Sequence, residues 1–307
     1  MRHVGHAEGG RGGPQAGEGR PPANIGIERW ARHQKAMAAF VTVSRLLSGS
    51  GIRFAPVKGI VLARWLYDDV TERPLRDVDL LVARSSFALA TGRLHEAGYA
   101  AEYTSEELGE AMFDVDGFTV ELHAEIGRRE LTSLSVDEVL RGATQDTTTF
   151  PFVSLRIDDI DHLLLLAANV VKDYFVEANP HQAEDLERLA VRLGGRLDEL
   201  VERAEHARFS SGLWAVADWM QYLRGSERFA RVRDEIGRPP RRLQARALAL
   251  AGRSKRLPLA VGLPLACWTN DEPAMRMAAL ARLARRGVVR KLGGDPDARQ
   301  TGSPRSS

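Results

Sequence analysis

Apolar residues in this chain recur at two different periods up to about residue 126, and at one period beyond Asp158. Alternation marks strands, whereas spacing of three to four marks helices. Residues 53–57 read as a short strand closed by Lys58-Gly59, 60–67 as a helix and 77–82 as a strand. A helix over 87–97 stops at Gly98, and 99–103 reads as another strand. Residues 112–115 and 118–126 flank Asp116-Gly117, a two-residue hairpin signal because both positions tolerate positive φ. An amphipathic helix over 27–47 leads into this region and ends at an SGSG turn. Such alternation predicts a small α/β domain. Beyond Asp158, the segments 158–175, 180–193, 196–206, 211–223 and 270–286 have helical spacing, the last capped by Thr269-Asn270. The second half is therefore expected to be all-helical.

The chain of 307 residues is long enough for one large domain or two ordinary ones. We expect a disordered tail over 1–25, rich in Gly and Pro, and another over 293–307. Between them we expect the α/β domain with its leading helix at 26–150 and a helical domain at 151–292. Of 43 basic residues only five are lysine (Lys35, Lys58, Lys172, Lys255 and Lys291), so an individual arginine carries little functional weight and a lysine rather more. Basic and acidic residues are interspersed, with a net charge of +2, and no lysine-rich stripe marks nucleic acid as the main partner. A single cysteine, Cys267, excludes an intrachain disulfide and a four-cysteine zinc site, and reads as a small buried hydrophobe. No apolar run reaches the ~20 residues that span a bilayer, and the N-terminus lacks a signal-peptide core. A cytoplasmic protein without membrane contact is expected.

The residues with chemical potential lie between 58 and 123. In Asp77-Val78-Asp79, strand geometry puts both carboxylates on one face. Two such groups repel unless a cation lies between them, and Mg²⁺ takes one or two carboxylates together with substrate phosphates. The competing reading is a solvated strand end. Asp114-Val115-Asp116 has the same spacing, and there turn chemistry at Asp116-Gly117 suffices. Lys58-Gly59 joins a strand to a helix, where glycine allows close approach and lysine adds charge for phosphate. Arg73 and Arg76 precede the aspartates and could neutralise phosphate or lie on the surface. Glu121 and His123 share the outer face of the second hairpin strand and could complete a metal site or be merely exposed.

Taken together, Lys58-Gly59, Leu62-Ala63, Tyr67, Arg73-Pro74, Asp77–Val82, Gly98-Tyr99 and Glu121-Leu122-His123 resemble an uncharacterised bacterial nucleotidyltransferase family of the DNA polymerase β superfamily. The resemblance covers roughly residues 50–126 and continues weakly to Asp185-Leu186. It departs at Glu121, where the family pattern has Asp, at Ala124 for an aromatic, and at Asn169 near a helical position that relatives often fill with His. The resemblance implies a polymerase β-like nucleotidyltransferase domain followed by an all-helical domain that shapes the acceptor pocket. It implies an NTP, with ATP expected, bound over Lys58-Gly59 with help from Arg73 and Arg76. Asp77, Asp79 and Glu121 would hold two Mg²⁺ ions, with Glu121 alternatively a base, and His123 would lie beside the ligands or on a phosphate. The expected acceptor is a peptide or small molecule, for example in lasso-peptide tailoring, rather than nucleic acid. The alternatives are an inactive nucleotide-binding module and a toxin–antitoxin adenylyltransferase.

Overall fold

The computed structural model of the chain describes residues 23–127, 131–172, 175, 180–254, 270–274 and 277. It begins with the long helix α1 (Ala23–Gly49), whose buried stripe of Ala36, Ala39, Phe40, Val43 and Leu47 follows helical spacing. Then come β1 (Phe54–Val57), α2 (Gly59–Trp65), β2 (Asp77–Val82), α3 (Phe87–Glu96), β3 (Ala101–Ser105), β4 (Glu110–Val115) and β5 (Phe118–His123). The five strands form one sheet in the order β1-β2-β5-β4-β3. β2 and β5 run parallel and the other pairs antiparallel. Asp116 at φ 55° and Gly117 at φ 80° make the hairpin turn between β4 and β5, with the positive angles that a two-residue loop demands.

Alternation gives the sheet two unlike faces. Val78, Leu80 and Val82 of β2, with Val120 and Leu122 of β5, pack against α1 and α3 in a closed apolar core. Ala55, Val57 and Leu81 point the other way and join a second core built by the rest of the chain. On that side lie Asp77, Asp79, Glu121 and His123. Partner residues in a ladder share a face, and Val57 pairs with Asp79 while Leu81 pairs with His123.

The second half adds α4 (Val136–Gly142), a ribbon of β6 (Thr144–Asp146) and β7 (Ser154–Arg156), then α5 (Asp159–Lys172), α6 (Pro180–Leu193), α7 (Leu197–His206), α8 (Ser210–Arg224), α9 (Glu227–Ile236) and α10 (Arg242–Ser254). Helical spacing accounts for α5 to α8; α4, the ribbon, α9 and α10 are additions to the sequence reading. Asn270 Oδ1 accepts the Glu272 amide at 2.7 Å, in the turn just before the helical residues 273–274. The rest of the segment 270–286 expected to be helical, apart from 271–274 and 277, lies outside the described residues, as do Cys267 and residues 1–22 and 293–307. None of the described helices is long and apolar enough to cross a membrane.

Helix α5 runs through the middle of the second core and is apolar on nearly every side. Ile160, Leu163, Leu164, Leu165, Leu166, Ala167 and Val170 are all buried. Each of its leucines contributes about 1.5–3 kcal/mol relative to exposure. The two halves are also tied by polar contacts. Fully buried Asp185 of α6 accepts from Tyr67 Oη at 2.8 Å and from Arg73 Nη2 at 2.8 Å and Nε at 3.1 Å. The Arg188 guanidinium stacks 4.2 Å above the Tyr67 ring. Removing Asp185 would strand a buried guanidinium, so α6 is held firmly against the loop before β2.

Candidate active site

Lys58 sits where β1 becomes α2, at φ 54° and ψ −131°. That region of conformational space suits glycine, and a lysine there is strained by about 1–3 kcal/mol. Three contacts surround the strained residue. Its carbonyl accepts the Leu62 amide at 2.9 Å, opening α2. Its peptide N–H donates to Nε2 of His162 on α5 at 3.0 Å. Its Nζ lies 2.6 Å from Asp79 Oδ1. Gly59 is glycine for a packing reason: a Cβ there would come within 2.9 Å of Arg73 Nη1 and Leu75 Cδ2.

Parallel pairing of β2 with β5 places Asp79 directly beside Glu121. His123 reaches across from β5, with Nε2 2.8 Å from Asp79 Oδ1 and 3.3 Å from Glu121 Oε2. One ligand atom each from Asp79, Glu121 and His123 lie within 4.8 Å of one another. Asp79 and His123 are buried, and Asp77 and Glu121 are half-buried at the rim. A slot of about 10 Å³ continues from Lys58 and His123 between the sheet and α5, past Asn169 to the Lys172–Glu110 ion pair.

Charges in this cluster are strongly interdependent. Burial alone would raise the Asp79 carboxyl, but Lys58 and His123 outweigh it and hold the group ionised far below the usual carboxylate range. Burial opposes charge on Lys58 as well, and Asp79 reverses that, keeping the ammonium protonated. Burial and Lys58 disfavour the His123 cation, yet its bonds to Asp79 and Glu121 raise its pKa overall. Among the described residues Asp77 has no hydrogen-bonded cation, and the charges on Lys58 and Arg73 only partly offset its burial. Burial, and after it the charge on Asp79, pushes Asp77 up to about 7. The site thus holds an ionised aspartate bound to an ammonium and an imidazole, beside an aspartate that resists ionisation.

The structure brings Lys58, Asp79, Glu121 and His123 together. Asp77 stands next to them, coupled by charge to Asp79 and Glu121 but outside the tight group. Arg73 packs over Gly59, with its guanidinium on Asp185 and on the Pro74 carbonyl at 2.8 Å. Arg76 is exposed, its carbonyl accepting from Arg32 at 3.3 Å. Sequence reasoning missed His162. Its sign in the sequence is a lone polar ring inside an otherwise apolar helix.

Two carboxylates and an imidazole on a sheet face, with a lysine at the preceding turn, form a donor set suited to a divalent cation and an anionic ligand. Comparison with curated proteins gives no match. Among solved structures, the chain is similar to a tRNA nucleotidyltransferase complexed with a primer tRNA and an incoming ATP analog, at 15% identity and a TM-score of 0.25, covering 81% of this chain and 99% of that one. It is also similar to a tRNA-processing enzyme in an apo form, at 15% identity and a TM-score of 0.24, covering 89% and 81%. A family model described as uncharacterised nucleotidyltransferase matches residues 28–225. That match takes in the whole sheet, the acidic cluster and the helices through α8, and the chain belongs to this nucleotidyltransferase family.

Proposed function

We propose that this nucleotidyltransferase moves an NMP from an NTP, with ATP as the preferred donor, to a hydroxyl or phosphate of a peptide or small-molecule acceptor. The observation that carries the reading is the convergence of Asp79, Glu121 and His123 within 4.8 Å, with the Lys58 ammonium at the same aspartate. The donor atoms fit a divalent cation: Asp79 and Glu121, with Asp77 at the rim, supply the oxygens Mg²⁺ prefers, and His123 adds a nitrogen that Mn²⁺ also accepts. When bound, a pair of such ions would neutralise the phosphates and stabilise the departing pyrophosphate.

The chain's own groups do the rest. Lys58 contributes a compact charge to the phosphates from a fixed backbone position. Glu121, half-buried at the rim, takes the proton of the acceptor hydroxyl if it is not engaged as a ligand. His123 Nε2 holds the Asp79 carboxylate in its orientation when it is not engaged as a ligand. Arg73, bound to Asp185, supports the turn by packing against Gly59, while exposed Arg76 would meet the donor phosphates. The interspersed charge of the chain supports a compact acceptor over a nucleic acid.

The test is transfer itself. Purified protein with Mg²⁺ and α-labelled NTPs is offered peptide, small-metabolite and tRNA pools. Label should enter the peptide or metabolite pool, and Asp79→Asn should abolish it while the chain stays folded. Full transfer by Asp79→Asn would refute the site, and label confined to tRNA would refute the acceptor class.

A further inference from the structure

We propose that His162 is the positioning residue of this active site: by accepting the Lys58 peptide N–H, it fixes the backbone conformation from which Lys58 Nζ reaches Asp79. The inference rests on the reading of Lys58 and Asp79 given above, and its observations come from the other half of the chain.

Lys58 is anchored on both sides but not at its own amide. Before it, Val57 is held in the ladder opposite Asp79. After it, Leu62 donates to the Lys58 carbonyl and α2 begins. The Lys58 N–H points away from both elements, as the first amides of a helix do, and has no backbone acceptor there. The acceptor comes from 104 residues further along, where α5 presents His162 Nε2 at 3.0 Å. A lysine relaxing out of its glycine-like conformation would rotate this peptide and swing Cβ away from Asp79. The bond to His162 opposes that rotation.

The ring itself is costly to keep. His162 is fully buried, with Trp65 edge-on at 5.6 Å. Burial pushes its pKa down to about 3, so the ring is neutral and one nitrogen is free to accept. With Nε2 accepting, the proton must reside on Nδ1, and Nδ1 has no hydrogen-bond partner among the described residues. A leucine or methionine would fill the same space in this leucine-rich helix without burying an unpaired N–H. What histidine adds is the acceptor directed at Lys58.

Only five lysines in the chain make the test direct, because the signal of Lys58 Nζ can be assigned by its loss in Lys58→Arg. Full-length protein with ¹⁵N-labelled lysine side chains should show the Lys58 signal displaced from the other four in wild type. In His162→Gln, which keeps an acceptor, it should stay displaced, and nucleotidyl transfer should fall less than about threefold. In His162→Met, which keeps bulk without an acceptor, it should join the other four, and transfer should fall at least tenfold. A merely structural ring would give Gln and Met variants with the same losses. That result, or a displaced Lys58 signal in His162→Met, overturns the proposal. Should His162→Met fail to fold, amide exchange in the wild type decides: Lys58 N–H should be as protected as the amides of α5, and free exchange overturns the proposal. Neither spectrum uses a nucleotide, so these results stand or fall separately from the transfer reading.

Discussion

Two Asp-x-Asp pairs lie in the same sheet and have opposite fates. Asp114 is exposed at the end of β4, where its carboxylate accepts the Gly117 amide at 2.8 Å, while Asp116 bends the chain at positive φ and lies 3.4 Å from the Tyr99 hydroxyl. The Asp114 side chain and the Asp116 backbone serve the turn, and among the described residues the Asp116 carboxylate meets only the Tyr99 hydroxyl. Asp79, on the interior strand β2, is buried and bound to Lys58 and His123, groups brought by the end of β1 and by β5. Identical spacing therefore says only that two carboxylates share a face. What they do depends on what the flanking strands bring: β2 lies between β1, which runs into Lys58, and β5, which carries Glu121 and His123, whereas Asp114 stands at the turn end of β4.

The largest difference between the pairs should appear in catalysis. Losing the Asp79 carboxylate should reduce nucleotidyl transfer by at least ~10²–10³-fold, the scale of removing one preorganised electrostatic group. Asp114→Ala should leave the rate within about twofold, measured with the same labelled NTP. Glu121→Gln should weaken divalent-cation binding by at least roughly tenfold, since loss of even a supporting residue at a metal site has that effect. Calorimetric titration with Mn²⁺ would report it.

The pairs should also differ in their response to pH. The Asp77 carboxyl, raised to about 7, keeps its proton in the folded chain after the unfolded chain has lost it. Between about pH 4 and 7 the native state thus binds the extra proton, and its stability falls as pH rises. Asp77→Asn removes this slope. The unfolding free energy from urea titration should match wild type near pH 3.5 and exceed it at pH 8 by about 1–3 kcal/mol. Equal differences at both values would show that Asp77 is not strained by its neighbours. The smallest effect belongs to the turn: Asp114→Ala should destabilise the fold by about 0.5–1.5 kcal/mol through the lost Gly117 bond, read as a lower urea midpoint.

Local chemistry made the first half legible. The strand at 77–82 and the Asp116-Gly117 turn announce themselves through alternation and φ requirements, and each element is visible within a few residues. The ribbon of β6 and β7 is different, because three-residue strands are too short to display a period. Helix α9 buries only Phe229 and Val232 in an arginine-rich stretch, so its apolar stripe is faint. At the site, the shared face of Asp77 and Asp79 follows from the residues alone, whereas the pairing of Asp79 with Glu121 depends on the parallel register of β2 and β5. The Lys58–His162 bond joins segments with no common local pattern. Asp185 stands out in the sequence only through resemblance, and its hold on Arg73 and Tyr67 emerges from tertiary packing. Long-range partners of this kind are selected by the fold as a whole.

Binding of Mn²⁺, followed by electron paramagnetic resonance in wild type, Asp79→Asn and Asp114→Ala, puts the two pairs side by side without requiring an acceptor. Wild type and Asp114→Ala should bind the ion equally, and Asp79→Asn should bind it at least about tenfold more weakly. Equal binding by Asp79→Asn and wild type would contradict this.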